Sequence, residues 1–398
     1  MKKKFFALMM AMVMVLSLAA CGGKSETSAP ANNDAPAQSG ETAEGGSTFK
    51  LGTIGPLTGD AAIYGQAVAN GAKIAVDEIN ASDSAIKFEF QSEDDVADGE
   101  TSVNAYNTLM DWGMQVMVGP TTTGASIAVA AKAAEERTFM LTPSASSTDV
   151  IAPGDNVFQV CFTDPNQGIA SADYMAANMA GAKIAVIYRN DDAYSQGIRD
   201  TFVSQAKANS LELVYEGTFT ADTATDFSVQ LTAAQAAGAD TVFLPIYYQP
   251  ASVILTQAAA MNYAPTFFGV DGMDGILTME GFDTALAEGV MLLTPFSADA
   301  TDERTQNFVK AYQAAYGEIP NQFAADAYDG VYIVKAALEA AGCTGDMSSA
   351  DICEALVGVM SSISVDGLTG QGMTWSANGE VSKAPMAVVI ENGTYVLP

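Results

Sequence analysis

Residues 51–80, LGTIGPLTGDAAIYGQAVANGAKIAVDEIN, decide how this chain is read. They pass from a short apolar run, through a turn of Gly, Pro and Thr, into a stretch where Val68, Ala72, Ala75, Val76 and Ile79 recur at the spacing of one helix face. Gly59 and Asp60 stand where an N-cap belongs, so the segment predicts strand, turn and amphipathic helix. A strand that feeds a helix through a tight turn leaves free backbone N–H groups at the carboxyl edge of a sheet, where open α/β folds take their ligands. A partly anionic ligand suits such an edge.

The same unit recurs on the C-terminal side. Residues 86–91 alternate like a strand and 98–110 read as a helix. Residues 115–118 form a short buried strand that runs into Gly119-Pro120-Thr121-Thr122-Thr123-Gly124, and Ile127, Ala131 and Ala134 mark the helix beyond. Residues 138–141 repeat the pattern into Thr142-Pro143-Ser144-Ala145-Ser146-Ser147. Strand, hydroxyl-rich loop and helix at this spacing predict βαβ units on a mostly parallel sheet, with three such loops converging on one edge. After a strand and connector at 156–162 and a helix opening at 164, the rhythm restarts. Strands at 183–188, 213–216, 241–245, 265–269 and 288–293 enclose helices at 194–209, 227–237 and 251–261, a second α/β series long enough for a domain of its own. Helices follow at 301–316, 323–341 and 349–359, and the Gly-punctuated tail from 364 is β-like, with an Asn392-Gly393 turn signal.

The N-terminal flank reads as export machinery. Lys2, Lys3 and Lys4 precede an apolar run at 5–18 and then Leu18-Ala19-Ala20-Cys21, the charge, core and small-residue order of a secretory signal peptide. Residues 24–47 are Ser, Thr, Ala, Pro, Asn, Glu and Gly without aromatics or apolar period, a composition that cannot offset its ordering entropy and predicts a tether. The remaining stretch of about 350 residues exceeds the size at which a single core stops growing, so two domains are expected.

With 17 Lys plus Arg against 47 Asp plus Glu, the formal net charge of −30 argues against nucleic acid and anionic lipid surfaces as partners. The chain has no histidine, which removes His-ligated zinc, His-containing triads and a histidine pH switch. The first turn lacks GxGxxG and no GxSxG elbow or Walker loop occurs, so neither an enzyme of these classes nor a cofactor is predicted. Of the 4 cysteines, Cys161 in VFQVCF reads as a buried small hydrophobe, while Cys343 and Cys353 close a short loop and are a candidate disulfide in an exported chain.

Taken in order, GPLTGDAAIYGQAVANGAKIAVDEIN, VMVGPTTTG, LTPSAS, VFQVCFTDPNQG, AYSQG, FFGVDG, AYDGVYIVKAA and DGLTGQGMTWSANGE resemble the branched-chain amino-acid binding proteins of bacterial ABC importers, over nearly all of residues 48–398. The resemblance implies a type I periplasmic binding protein: α/β, two similar Rossmann-like lobes with parallel-rich central sheets, joined by a three-strand hinge and closing on a ligand between them. It implies crossings near 161–164, 293–296 and 369–373, hence a first lobe of 48–162 plus 297–370 and a second of 163–296 plus 371–398, after a signal peptide at 1–20 and a tether at 21–47. The cysteine after Leu-Ala-Ala resembles a lipobox, which implies that Cys21 is lipidated and ties the protein to the bilayer at the outer face of the cytoplasmic membrane, as suits a Gram-positive cell surface. The implied partners are a small amino acid and the permease subunits of the importer.

An amino acid presents a carboxylate that wants N–H and hydroxyl donors and an ammonium that wants a carboxylate. The family positions for the first are matched by Thr123, Ser144 and Ser146, with Ser144 acting through its backbone; helix capping is the other reading of these hydroxyls. The ammonium positions are matched by Tyr248 and Asp271, where the family more often has the longer Glu; a turn residue between glycines is the other reading of Asp271. Tyr64 and Tyr194 match aromatic positions at the side-chain pocket or its rim, or pack between lobes, and Gln167 is a further candidate from the second lobe. A short amide, urea or an aromatic acid is the alternative ligand class.

Overall fold

A computed structural model describes residues 47–397, and in it the stretch quoted first folds as strand, turn and helix. The signal peptide, Cys21 and the tether up to residue 46 lie outside the described residues, while Ser47 already belongs to β1 (Ser47–Gly55). α1 (Ala62–Ala81) buries Val68, Ala72, Ala75, Val76 and Ile79, and each large apolar side chain so buried contributes roughly 1.5–3 kcal/mol. Asp60 is not its cap: Ala61 holds that place without a side-chain bond, and Asp60 stays exposed. The turn before the helix is held instead by Asp94, whose carboxylate accepts from Leu57 N at 2.8 Å and Thr58 Oγ1 at 2.6 Å.

β2 (Ile86–Asp94), β3 (Val116–Val118), β4 (Phe139–Thr142) and β5 (Val157–Gln159) join β1 in a sheet of order β2-β1-β3-β4-β5, parallel throughout. Between them run α2 (Gly99–Trp112) and α3 (Thr123–Glu136). After α4 (Asp164–Asn178) a second sheet of order β12-β11-β10-β9-β8-β6-β7 is built from β6 (Lys183–Arg189), β7 (Glu212–Phe219), β8 (Thr241–Leu244), β9 (Thr266–Gly269), β10 (Met291–Thr294), β11 (Met386–Glu391) and β12 (Thr394–Val396). β6 to β10 are parallel; β11 and β12 form an antiparallel hairpin on the edge, turning at Asn392 and Gly393, both at positive φ as a two-residue hairpin turn requires. α5 (Ala193–Ala208), α6 (Ser228–Ala236) and α7 (Tyr248–Ala260) connect the strands of this second α/β lobe.

α8 (Glu303–Tyr316), α9 (Gln322–Ala341) and α10 (Ser349–Met360) return to the first lobe. α9 is apolar on nearly every side and buried along its length, as a helix packed on several sides must be. It crosses α1 so closely that a Cβ at Gly71 would run into the Ala324 carbonyl, which is why glycine stands there.

Two expectations are corrected. Cys343 and Cys353 are free, not a disulfide: both are buried in the core cluster, Cys353 with Ile352, Leu356 and Met360 on α10, and burial pushes the Cys353 thiol up to about 12. Residues 371–383 do not join the second lobe. Gly379 O accepts from Gln159 N at 3.0 Å, and Trp375 Nε1 donates to Gln159 O at 2.9 Å, so this stretch seals the edge of the first sheet at β5. Lys383, buried, ties it to α9 through Asp326 at 2.6 Å and to Thr369 Oγ1 at 2.6 Å.

Candidate functional site

In both sheets the strand order reverses beside the strand that leads its lobe, between β1 and β3 and between β6 and β8. Loops leaving the carboxyl ends there diverge and open a crevice, and here the two crevices face one another. Tyr64, Thr121, Thr122, Thr123, Ser144 and Phe323 from the first lobe, with Tyr194, Tyr247, Asp271 and Gly272 from the second, line a narrow cavity of about 20 Å³.

The first-lobe wall is a set of donors. Thr121 is anchored, its Oγ1 donating to Ile54 O at 3.2 Å and its carbonyl accepting from Ser144 Oγ at 2.6 Å. Thr122 is the N-cap residue of α3 yet makes no capping bond, and Thr123 opens the helix. Both Oγ1 atoms are buried and have no hydrogen-bond partner. Ordinary caps would be bonded to the helix N–H groups. These hydroxyls instead face the cavity beside the free N–H groups of the first helical turn, a ready site for a carboxylate. Ser144's hydroxyl is spent on Thr121, which leaves its backbone N–H, held only at 3.4 Å by Thr142 Oγ1. Ser146 is fully buried behind this wall, where its Oγ accepts from Gln167 Nε2 at 3.4 Å.

The second-lobe wall is acidic. Asp271 is 3 % exposed, and both of its carboxylate bonds fall on Oδ1, from Tyr194 OH at 2.6 Å and Gly272 N at 2.8 Å. Its backbone N donates to Gln167 Oε1 at 3.1 Å. The bond to Gly272 is the turn role foreseen for an Asp between glycines, and it coexists with a place on the cavity wall. Among the described residues no Lys or Arg pairs with Asp271. Burial pushes its pKa up to about 6 against the bonds from Tyr194 and Gly272 and the nearby Gln167 amide, and Asp326 adds to the rise. Burial likewise holds the Tyr64, Tyr194 and Tyr247 phenols well above their usual range, so all three stay neutral donors.

Tyr64 reaches across the cleft. Its OH donates to Gly272 O at 2.5 Å and accepts from Tyr248 N at 3.1 Å, while its ring packs on Phe323 and edge-on to Tyr247 and Tyr248. A second interlobe bond joins Gln322 N to Asp274 Oδ2 at 3.0 Å.

Of the residues singled out in the sequence, Thr123, Ser144, Tyr194, Asp271 and Tyr64 meet at one cavity, and Ser146 stands directly behind it. Tyr248 turns away: its OH accepts from Ile63 N at 3.4 Å on the α1 side, and its neighbour Tyr247 takes the wall position. Tyr247 is the extended residue before α7 and Tyr248 the first helical one, so the two rings leave the chain in different directions. Phe323, Thr122 and Gly272 were also missed. Phe323 carried a signal in the sequence, since it lies in the first turn of α9 beside its Asn321 cap. Among the described residues no group of three metal-ligating side chains occurs, and no helix is long and apolar enough to cross a membrane.

Comparison with known proteins places this geometry. The periplasmic binding protein family model matches residues 48–394. A Leu/Ile/Val-binding protein homolog 3 of Brucella melitensis is 31% identical over 310 residues, covering 76% of this chain and 81% of that protein. The crystal structure of the branched-chain amino acid transporter substrate binding protein LivJ of Streptococcus pneumoniae, in complex with isoleucine, superposes with a TM-score of 0.77 at 29% identity, covering 88% of this chain and 100% of that one. A leucine binding protein of Thermotoga maritima shares the fold at TM-score 0.79 and 24% identity, over 88% of this chain and 97% of that one.

Proposed function

The chain belongs to the periplasmic binding protein family, and from that membership we infer that it is an extracytoplasmic solute receptor of an ABC importer that binds a small aliphatic α-amino acid, of the leucine, isoleucine and valine class, between its lobes. One observation carries the choice of ligand: two buried threonine hydroxyls without partners stand on one wall of a cavity whose other wall holds a buried carboxylate without a cation. A zwitterion satisfies both at once. Its carboxylate takes Thr122, Thr123, the N–H groups of the first α3 turn and Ser144 N, with Ser146 behind them. Its ammonium takes Asp271, and Tyr64, Tyr194, Tyr247 and Phe323 enclose the remainder. Tyr248 supports Tyr64 from outside the wall.

A benzoate-like acid, a short amide or urea fits less well. Without an ammonium Asp271 stays buried and unpaired, at a cost of about 1–3 kcal/mol or more. Ligand contacts to both lobes bias the receptor toward its closed form, and the importer's permease subunits read that form, so delivery follows occupancy. The first lobe is taken as 48–162 plus 297–383 and the second as 163–296 plus 384 onward. The lipobox at Cys21 supports attachment to the outer face of the cytoplasmic membrane, as in a Gram-positive cell.

A thermal-shift panel of the twenty amino acids with benzoate, urea and acetamide tests the ligand class. A specific ligand raises the melting temperature by mass action. Stabilisation by leucine, isoleucine or valine is the expected result; stabilisation by benzoate or an amide with none from any amino acid overturns it.

A further inference from the structure

Asp164, at the first crossing between the lobes, is 1 % exposed, and neither carboxylate oxygen has a hydrogen-bond partner. It is not the cap of α4, because Thr163 fills that role. On its α5 side the packing is close: a Cβ at Gly197 would lie 2.9 Å from Asp164 Oδ2. On its first-lobe side it faces the Ser146 hydroxyl, and Asp164 N donates to Ser146 O at 2.8 Å. The charged groups that bear on it are all acids, Asp271 after β9, Asp192 at the cap of α5 and Asp149 after β4; Arg189 acts on Asp192. Burial pushes the Asp164 carboxyl well above the usual range, and those acids add to the rise.

A serine hydroxyl has one proton to give and two lone pairs with which to accept. Ser146 Oγ already accepts from Gln167 Nε2, and Gln167 Oε1 in turn accepts from Asp271 N. An ionised Asp164 can only accept, so it would draw the single Ser146 proton toward itself and away from the cavity. A protonated Asp164 reverses this. Its O–H is given to the second Ser146 lone pair, and the Ser146 proton is free to turn toward the ligand carboxylate.

We propose that Asp164 is a positioning residue that works as a neutral carboxylic acid: it donates to Ser146, and so decides whether that hydroxyl donates into the cleft or back into the protein. The proposal rests on the assignment of Ser146 to the carboxylate end of the ligand. In the closed receptor the chain Asp164–Ser146–Gln167–Asp271 then links the carboxylate and ammonium ends of the site across the lobe boundary. Affinity falls as Asp164 ionises, which sets an alkaline limit to binding separate from the acidic limit at Asp271.

The test measures affinity by calorimetry between pH 6 and 8.5 for the wild type, Asp164→Asn, Asp164→Ala and Ser146→Ala, using whichever of L-leucine, L-isoleucine and L-valine stabilises the protein most. Titration of the ligand's own ammonium is common to all four proteins and cancels in their ratios. The amide of Asn still donates to Ser146 but does not titrate, so the alkaline loss of affinity vanishes in Asp164→Asn. Asp164→Ala binds at least about tenfold more weakly, and Asn restores most of that loss. Wild-type and Asn profiles that fall together overturn the proposal. If Ser146→Ala binds as well as wild type, the assignment of Ser146 to the ligand fails instead. A ligand-free arm decides the protonation state whether or not any of the three amino acids binds. The melting temperature of Asp164→Asn minus that of wild type widens by a few degrees as pH rises from about 5 to 8, because only the wild type has an acid that ionises in the unfolded chain while it stays protonated in the fold. A gap that stays constant with pH overturns the proposal on its own.

Discussion

In the proposed site the carboxylate of Asp271 pairs with the ligand's ammonium, and its titration makes a quantitative prediction. In the unliganded protein its pKa is about 6, raised by burial. Only the ionised form pairs with an ammonium, so the apparent dissociation constant scales as the inverse of the ionised fraction. That fraction is about 0.9 at pH 7 and about 0.1 at pH 5, which predicts roughly tenfold weaker binding at pH 5, or about 1.4 kcal/mol. The ammonium draws the bound carboxylate's pKa down, so binding near pH 6 releases about half a proton, visible as a buffer-dependent enthalpy in calorimetry. Asp271→Asn removes the charge and flattens the acid limb. It also weakens binding by roughly 2–5 kcal/mol, the usual loss when one member of a buried charge pair is removed. The stability effect has the opposite sign. A carboxyl whose folded pKa lies above its unfolded value makes the protein lose stability as pH rises through that window, here from about 4 to about 6, by roughly 3 kcal/mol in total. Asp271→Asn therefore melts higher than wild type at pH 7 without ligand while binding poorly, a combination that misfolding cannot imitate. Affinity that is flat from pH 5 to 7 in the wild type, or Asn binding as tightly as Asp, would refute this account.

Other perturbations reach the hinge, the core and the thiols. Tyr64→Phe loses the bond to Gly272 O and strands Tyr248 N, so ligand release should quicken by roughly tenfold or more in stopped flow, and an unchanged off-rate would remove Tyr64 from lobe closure. Lys383→Met leaves Asp326 buried without its cation and should cost about 3–5 kcal/mol in denaturant unfolding, whereas Lys383→Met combined with Asp326→Leu recovers most of it; equal losses in the two would contradict a buried pair. Alkylation of the unfolded, unreduced protein should modify Cys161, Cys343 and Cys353 alike, and a reductant should leave the melting temperature unchanged; protection of the last two thiols would restore the disulfide.

The sequence by itself determined the order of the elements, the second α/β series and the hydroxyl-rich loops. Each of these is written in residues close together along the chain, and period, turn chemistry and capping act over a few residues. Thr123, Ser144, Tyr194 and Asp271 were legible as candidates because they match positions of the family the sequence resembles, and they lie after strand ends, which in parallel sheets converge. Where the written signal was short, the fold had the deciding vote. Tyr247 and Tyr248 are adjacent and alike, and the point at which α7 begins between them selects which ring faces the cavity. Cys343 and Cys353 are near in sequence, but Cys353 is buried where α10 packs on the core and Cys343 is buried separately just past the end of α9. Residues 371–383 have no period to read, and only the open edge of β5 shows where they belong. The same holds for Asp164 and Thr122. An acid at a helix start and a threonine before a helix both read as caps, and only tertiary packing removes the water and the partners that would have made them so. Local periodicity specifies an element, but burial and hydrogen bonding are set by groups distant along the chain, and these give a side chain its chemistry.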